Sequence, residues 1–212
     1  MINTEIDFTL YLVTDRRWLG KKSLPEAVEE AIQGGATMVQ LREKEISSKE
    51  YLAIAQQVKE VTDRHGIPLI INDRTDIAFA CGVAGVHLGP DDLPVPIARR
   101  ILGGGKIIGA SAGSLEEALM LEDQGADYLG VGAVFPTDTK IDAGRVTLEE
   151  LAGIKAAVKI PVVAIGGISA ENAAATLKTG VDGVAVVSAV MAQKDIQKAT
   201  RHLLEILKAA KS

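Results

Sequence analysis

The stretch MVQLREKE, residues 38–45, begins as an apolar strand and ends in a run of charge. Successive side chains of a β-strand point to opposite faces, so Gln40, Arg42 and Lys44 share one face and Leu41 lies on the other. One amide and two cations therefore converge on one side of a short strand. This arrangement favours an anion-binding site over a solvent-exposed sheet edge.

Short runs rich in Val and Ile alternate with amphipathic segments along the whole chain. The runs are FTLYLVTD (8–15), TMVQLREK (37–44), PLIINDR (68–74), GVHLG (85–89), KIIGASA (106–112), YLGVGAV (128–134), PVVAIGG (161–167) and GVAVVSAV (183–190). Runs without polar alternation are typical of a parallel sheet covered by helices. Helix starts are indicated where Ser or Thr is followed three residues later by Glu, because both side chains can then cap free backbone N–H groups. This pattern occurs at Ser23/Glu26, Ser47/Glu50, Ser114/Glu117 and Thr147/Glu150.

Eight such strand–helix units predict an α/β protein folded as a single (β/α)8 TIM barrel, with residues 1–212 forming one domain. A doubly wound open sheet uses the same local unit and is the competing interpretation. The count of eight favours the barrel. Functional groups of a barrel lie at the carboxyl ends of its strands. In this chain polar residues follow the strand ends, whereas the strand beginnings carry few of them.

Composition excludes several classes of function. The chain has 212 residues, 47% of them hydrophobic, and a net charge of −5, which disfavours a nucleic-acid-binding surface. Its single cysteine, Cys81, excludes an intramolecular disulfide framework and suits a reducing compartment. The sequence shows no basic-then-apolar leader and no apolar run of membrane-spanning length. We expect a soluble, cytoplasmic protein that binds neither nucleic acid nor membranes.

Two aspartates at the ends of the third and fourth strands are candidate metal ligands. Asp73 in IINDR and Asp92 in GPDDLP could together hold one Mg²⁺, which typically takes one or two carboxylates and leaves its other positions to water and substrate phosphate. Arg42 and Lys44 beside such an ion would clamp a diphosphate. The alternative for Asp92 is a role as a helix cap.

A second anion site is indicated after the seventh and eighth strands. AIGG and VVS place Gly166, Gly167 and Ser188 where barrels commonly bind phosphate through backbone N–H groups, although tight turns alone could also explain the glycines. The segment 135–146, which has no evident secondary structure, adds hydroxyls and a cation through Thr137, Thr139 and Lys140. A segment of this kind is often an active-site lid, and we predict that it closes over bound ligands.

Two other reactive residue types are interpreted as structural. His87 lies on the short fourth strand, where a hydrogen-bonded imidazole in or near the core is expected rather than a catalytic one. Cys81 lies in an apolar helical stretch and is expected to be a packed thiol.

The motifs QLREK, NDR, GVHLGPDDLP, GADYLGVGAVFPTDTK, VVAIGGI and VAVVS occur in this order over residues 10–189. In this order and spacing they resemble the thiamine-phosphate synthase (thiamine-phosphate pyrophosphorylase) family. The resemblance implies a transferase of thiamine biosynthesis that joins 4-amino-2-methyl-5-pyrimidinylmethyl diphosphate to 4-methyl-5-(2-phosphooxyethyl)thiazole. The products are thiamine phosphate and diphosphate. The family reaction is thought to begin with ionisation of the bond between the pyrimidinylmethyl carbon and oxygen.

The resemblance also implies a role for each matching residue. One Mg²⁺ ion would be held by Asp73 and Asp92, and the residues implied in the chemical step are Arg42, Lys44, Ser111 and Lys140. The pyrimidine diphosphate would be bound by Gln40, Leu41, Arg42, Glu43, Lys44, Asn72, Ser111 and Lys140. The thiazole phosphate would be bound by Thr137, Asp138, Thr139, Gly167, Val187 and Ser188.

The chain departs from the family pattern at two positions. Many relatives carry Ser-x-His after the fifth strand, but Gly113 stands where that histidine would be, and Ala133 stands where proline is frequent. A metal-independent thiazole tautomerase of the same fold is the nearest alternative, and Gly113 counts against it because that enzyme relies on a histidine in this region. A non-catalytic ligand-binding regulator and a phosphosugar aldolase or isomerase are further alternatives. The sequence leaves open the carboxylated thiazole substrate, replacement of Mg²⁺ by Mn²⁺, and whether the chain is a monomer or a homodimer.

Overall fold

Eight parallel strands form a closed barrel in chain order, with β1 paired to both β2 and β8. The computed structural model describes residues 6–137 and 145–211. The strands are β1 (Leu10–Val13), β2 (Met38–Leu41), β3 (Leu69–Asn72), β4 (Gly85–Leu88), β5 (Ile107–Ala112), β6 (Tyr128–Val131), β7 (Val162–Ile165) and β8 (Gly183–Val186). The predicted TIM barrel is confirmed, and the open sheet is excluded because β8 returns to pair with β1.

Helices follow the strands and cover the outside of the barrel. The helices are α1 (Leu24–Gly34), α2 (Ser48–His65), α3 (Thr75–Cys81), α4 (Val95–Leu102), α5 (Leu115–Asp123), α6 (Leu148–Ala157), α7 (Ala173–Leu177), α8 (Ser188–Met191) and α9 (Ile196–Lys211), with a 3₁₀ helix at Arg16–Trp18. None of the helices in these described ranges is long and apolar enough to cross a membrane.

The predicted helix starts are correct in place, but only two have the full reciprocal cap. Ser23 and Thr147 accept from the backbone of the third helical residue, and the Glu side chain at that residue accepts from the cap backbone in return. At Ser114 the Glu117 carboxylate instead accepts from the backbone N–H of Gly113, at 2.6 Å. The serine half of the cap is retained there, since Ser114 accepts from the Glu117 N–H at 3.2 Å.

Two layers of apolar side chains divide the core. Strand residues that point outward, such as Val39 and Leu41, pack beneath the helices. Residues that point inward, including Tyr11, Met38 and Tyr128, fill the barrel itself. The alternation predicted for residues 38–45 therefore decides which side chains of β2 can reach the interior.

The predicted runs extend beyond the ends of the strands. β2 ends at Leu41 and β3 at Asn72, so Arg42 and Asp73 belong to the loops above the barrel. After β8 the chain turns into α8 at Ser188, where the sequence pattern had suggested continued strand. The ladder stops where the polar residues begin because these side chains and backbone groups turn toward the barrel mouth.

Candidate active site

One cavity of about 330 Å³ opens at the carboxyl ends of the strands. It is lined by residues from both predicted anion sites, so the barrel brings together two groups of residues that are separate in sequence, such as Arg42 and Ser188. The predicted site residues that line it are Gln40, Arg42, Lys44, Asn72, Asp73, Asp92, Ser111, Thr137, Gly167, Val187 and Ser188.

Leu41 and Glu43, which the resemblance also implied in binding the pyrimidine diphosphate, are not among the residues that line the cavity. Leu41 is fully buried in the layer beneath the helices. Glu43 is 6% exposed and its Oε2 lies 2.7 Å from Arg16 Nε. Strand alternation points Leu41 of β2 away from the barrel interior, whereas Glu43 lies in the loop after β2 and is held by Arg16.

Three predicted site residues, Asp138, Thr139 and Lys140, lie outside the described residues. Most of the predicted lid, residues 138–144, also lies outside the described residues. Thr137 itself lines the cavity.

The loop after β2 is anchored on the loop after β1. The Arg42 backbone N–H donates to Thr14 Oγ1 at 3.0 Å, and the Glu43–Arg16 ion pair lies one residue further on. Burial raises the pKa of the Glu43 carboxyl, while Arg16 opposes that rise. Tyr51 adds a third tie, because its hydroxyl donates to the Leu41 carbonyl at 2.8 Å. These three contacts hold the backbone around Arg42 in place.

Asp73 and Asp92 meet at the mouth of the barrel. Asp73 has a positive φ of 64°, an uncommon conformation for a residue with a side chain, and its backbone N–H donates to the His87 carbonyl at 2.8 Å. Asp92 accepts from the Gly89 N–H at 2.7 Å through Oδ2. Asp92 therefore closes the turn after β4, and the N-cap position of α4 is Pro94, which makes no side-chain capping bond. The capping alternative for Asp92 is wrong.

The two carboxylates disfavour each other's ionisation. Partial burial and the hydrogen-bonded Asp73 carboxylate beside it raise the pKa of Asp92 to about 6. Lys44 forms an ion pair with Asp73 and compensates part of this negative charge. No cluster of three or more His, Cys, Asp or Glu side chains suited to a metal occurs in residues 6–137 and 145–211. Two carboxylates with open space beside them fit the preference of Mg²⁺ for few protein ligands.

Asn72 presents an unused donor at the same edge. Its side chain is 7% exposed and lines the cavity. Its Nδ2 is one of the few buried side-chain polar atoms in the described part of the chain without a hydrogen-bond partner. A buried donor without a partner is costly, so this amide is suited to binding an acceptor on a ligand.

The other half of the cavity is built from backbone. Gly166 and Gly167 have φ values of 101° and 62°, and a Cβ on Gly167 would lie 2.4 Å from the Pro136 carbonyl oxygen. Glycine is therefore required both by conformation and by the close approach of the loop after β6. Ser188 begins the short helix α8 directly after β8. A short extra helix after the eighth strand is the usual place for phosphate in TIM barrels.

A buried hydrogen-bond chain crosses the floor of the cavity. Gln40 Nε2 donates to Tyr11 Oη at 2.9 Å, and Tyr11 Oη lies 2.9 Å from Tyr128 Oη. Tyr128 Oη lies 2.9 Å from His87 Nδ1, and His87 Nε2 lies 3.0 Å from Ser111 Oγ. The expectation of a hydrogen-bonded imidazole near the core is correct for His87, but the sequence did not indicate that it contacts the site residue Ser111. The available signal was the register of β4, which pairs His87 with Asn72 of β3, another residue of the site.

The structure is matched by known proteins over nearly its full length. Residues 10–190 match the thiamine monophosphate synthase family. A thiamine-phosphate synthase from Ruminiclostridium cellulolyticum is 54% identical over 205 residues, which cover 97% of this chain and 98% of that protein. A thiamine-phosphate synthase from Clostridium tetani is 52% identical over 203 residues, which cover 96% of this chain and 97% of that protein.

A solved structure supports the same assignment. The thiamine phosphate pyrophosphorylase from Pyrococcus furiosus superposes with a TM-score of 0.91 at 46% identity, covering 98% of both chains. The chain therefore belongs to the thiamine monophosphate synthase family and is a transferase.

Proposed function

We propose that this chain joins 4-amino-2-methyl-5-pyrimidinylmethyl diphosphate to 4-methyl-5-(2-phosphooxyethyl)thiazole, with release of diphosphate and formation of thiamine phosphate. The observation that carries the proposal is a cavity that has a cationic and carboxylate-rich half beside a glycine-rich half. Two phosphorylated substrates require two anion sites in one space, and this cavity offers them. The family to which the chain belongs supports the same reaction.

The pyrimidine diphosphate is assigned to the half formed by β2, β3 and β5. Arg42 and Lys44 supply positive charge, and Ser111 and the unpaired Nδ2 of Asn72 supply neutral donors. Charge develops on the leaving diphosphate as its bond to the pyrimidinylmethyl carbon breaks. Fixed donors and cations aimed at that charge lower the barrier because they need no reorganisation during the reaction. Lys140 is proposed to add a further cation from the segment after β6.

Asp73 and Asp92 are proposed to hold one Mg²⁺ ion. The raised pKa of Asp92 beside Asp73 supports this role, since two facing carboxylates are stable together only with a proton or a cation between them. When bound, the ion would supply Lewis-acid stabilisation of the departing diphosphate. The Lys44 ammonium, paired with Asp73, lies beside the same carboxylates and can shift its hydrogen bonds toward the diphosphate.

The thiazole phosphate is assigned to the other half. Backbone N–H groups near Gly167, Val187 and Ser188 are proposed to bind the phosphate, together with Thr137, which lines the cavity, and with Asp138 and Thr139. We propose that the thiazole nitrogen attacks the pyrimidinylmethyl carbon from the side opposite the diphosphate. The protein then contributes mainly orientation, which converts a meeting of two substrates into an intramolecular event. No base is needed, because the attacking nitrogen carries no proton.

The test is a direct assay of both products. Purified protein should form thiamine phosphate and diphosphate in equal amounts from the two heterocyclic substrates with Mg²⁺, and EDTA should stop the reaction. Asp73→Asn should abolish turnover, whereas Asp63→Asn, on the exposed face of α2, should leave it unchanged. Aromatisation of the thiazole without Mg²⁺ or pyrimidine substrate would instead support the tautomerase. Binding of both substrates without diphosphate release would support the regulator.

A further inference from the structure

The floor of the cavity contains four buried or nearly buried polar side chains whose hydrogen bonds form one continuous line. Gln40, Tyr11, Tyr128 and His87 are between 0% and 9% exposed. They belong to four different strands, and the line ends at Ser111, which lines the cavity. The hydrogen bonds of this line can be donated either toward Ser111 or away from it, and the two directions have different consequences for Ser111.

The amide of Gln40 sets the direction. An amide nitrogen can only donate, so Tyr11 Oη accepts the hydrogen bond from Gln40 Nε2. The single phenolic proton of Tyr11 is then directed to Tyr128, and that of Tyr128 to His87 Nδ1. If the protons ran the other way, the buried proton of Tyr11 would lose its acceptor, which carries the full cost of desolvation.

The same direction determines the tautomer of His87. An imidazole that accepts at Nδ1 is neutral and carries its proton on Nε2. The Nε2–H then donates to Ser111 Oγ, 3.0 Å away. The serine oxygen is occupied as an acceptor, and its own proton is available to the cavity.

We propose that Tyr11, Tyr128 and His87 are positioning residues that hold Ser111 as a hydrogen-bond donor to an anion in the cavity. The identity of that anion as the diphosphate of the substrate rests on the proposed function. Tyr11, Tyr128 and His87 act through Ser111 and need no contact with the diphosphate. A serine without this support could turn its proton toward the histidine and offer an oxygen lone pair to the anion, which would repel it.

The barrel is shaped to accommodate this line of side chains. A Cβ on Gly109 would lie 2.1 Å from Tyr128 Cζ, and a Cβ on Gly130 would lie 3.0 Å from His87 Cε1. Two neighbouring strands therefore carry glycine where the two rings pass. Burial also raises the pKa of both tyrosines, so both hydroxyls keep the protons that the line requires.

The tautomer is measured on the unmodified protein. The chain has three histidines, and the long-range ¹H–¹⁵N spectrum of ¹⁵N-labelled protein reports which ring nitrogen of each is protonated. The variants His65→Gln and His202→Gln assign the other two signals. We expect His87 to be neutral, with Nδ1 unprotonated and Nε2 protonated. A His87 protonated at Nδ1, or at both nitrogens, would overturn the proposal.

The effect on Ser111 is measured by calorimetric binding of inorganic diphosphate with Mg²⁺, which needs no turnover. Tyr128→Phe and Ser111→Ala should each weaken binding about five- to tenfold, as expected for one hydrogen bond. The double variant should bind no more weakly than Ser111→Ala alone, because the tyrosine acts through the serine. Losses that multiply in the double variant would overturn the proposal.

A matched control separates this effect from general loosening of the core. Tyr51→Phe also removes a buried hydroxyl, but that hydroxyl donates to the backbone carbonyls of Leu41 and Asn72 and lies outside the line. Any loss it causes should multiply with that of Ser111→Ala. If Tyr128→Phe does not fold, the tautomer measurement on the unmodified protein still decides. If the unmodified protein binds no diphosphate, the role of Ser111 as a donor to that anion is overturned together with the proposed function. The tautomer of His87 still decides, separately, in which direction the hydrogen bonds between Gln40 and Ser111 are donated.

Discussion

Asp92→Asn should stabilise the metal-free protein while it abolishes activity. The Asp92 carboxyl is half-buried beside Asp73, and its pKa in the folded protein is about 6. The unfolded value is about 3.9. Because the folded value is higher, the folded protein binds the extra proton more tightly, and its stability increases as pH falls from 6 toward 4. Above pH 6 the ionised carboxylate therefore destabilises the fold by its full amount.

The size of the effect follows from this difference. A pKa difference of about two units corresponds to about 2.7 kcal/mol. Asp92 is partly exposed, and solvent screening reduces this to about 1 kcal/mol. Asparagine removes the charge and can still accept from the Gly89 N–H, which Asp92 does at 2.7 Å. A gain of about 1 kcal/mol raises the melting temperature of a chain of this size by about 2–4 °C.

Thermal unfolding in EDTA tests this reasoning. The variant should melt higher than the unmodified protein at pH 8, and the difference should shrink toward zero at pH 4.5, where Asp92 is protonated. Addition of Mg²⁺ should raise the melting temperature of the unmodified protein only, since the ion binds the folded state and the variant lacks a ligand. Turnover of the variant should fall at least a hundredfold. A variant that melts lower than the unmodified protein at pH 8 in EDTA would refute the paired-carboxylate explanation.

Further predictions concern the division of the cavity, the segment after β6 and the barrel interior. Arg42→Ala should raise the KM for the pyrimidine diphosphate and Ser188→Ala that for the thiazole phosphate, and equal effects on one substrate in steady-state kinetics would contradict the division. Lys140→Ala should lower kcat more than substrate affinity, because we expect this cation to act mainly during ionisation; a pure KM effect in the same kinetics would contradict that role. Gly109→Ala should destabilise the fold by about 1–3 kcal/mol in chemical denaturation, because its Cβ would overlap the buried Tyr128 ring. Unchanged stability would show that the ring can move aside.

The sequence by itself predicted the barrel and most of its rim. Strand and helix periods are local properties, so eight alternating units could be counted without coordinates. The inward face of β2 also followed from alternation, which placed Gln40 on the cavity side, and Arg42 in the loop beyond the strand lines the same cavity. The pairing of Asp73 with Asp92 was predicted because neighbouring strands of a barrel end at the same rim.

The tertiary structure decided what lies beside each of these residues. Glu43 was implied in ligand binding through its place in QLREK, but barrel closure brings Arg16 from the loop after β1 against it, and the carboxylate is used for that ion pair. The line from Gln40 to Ser111 crosses the barrel floor between side chains that are distant along the chain. Periodicity determines which face of a strand a side chain occupies. Only the closed barrel, with its own radius and register, determines which side chains meet across the interior.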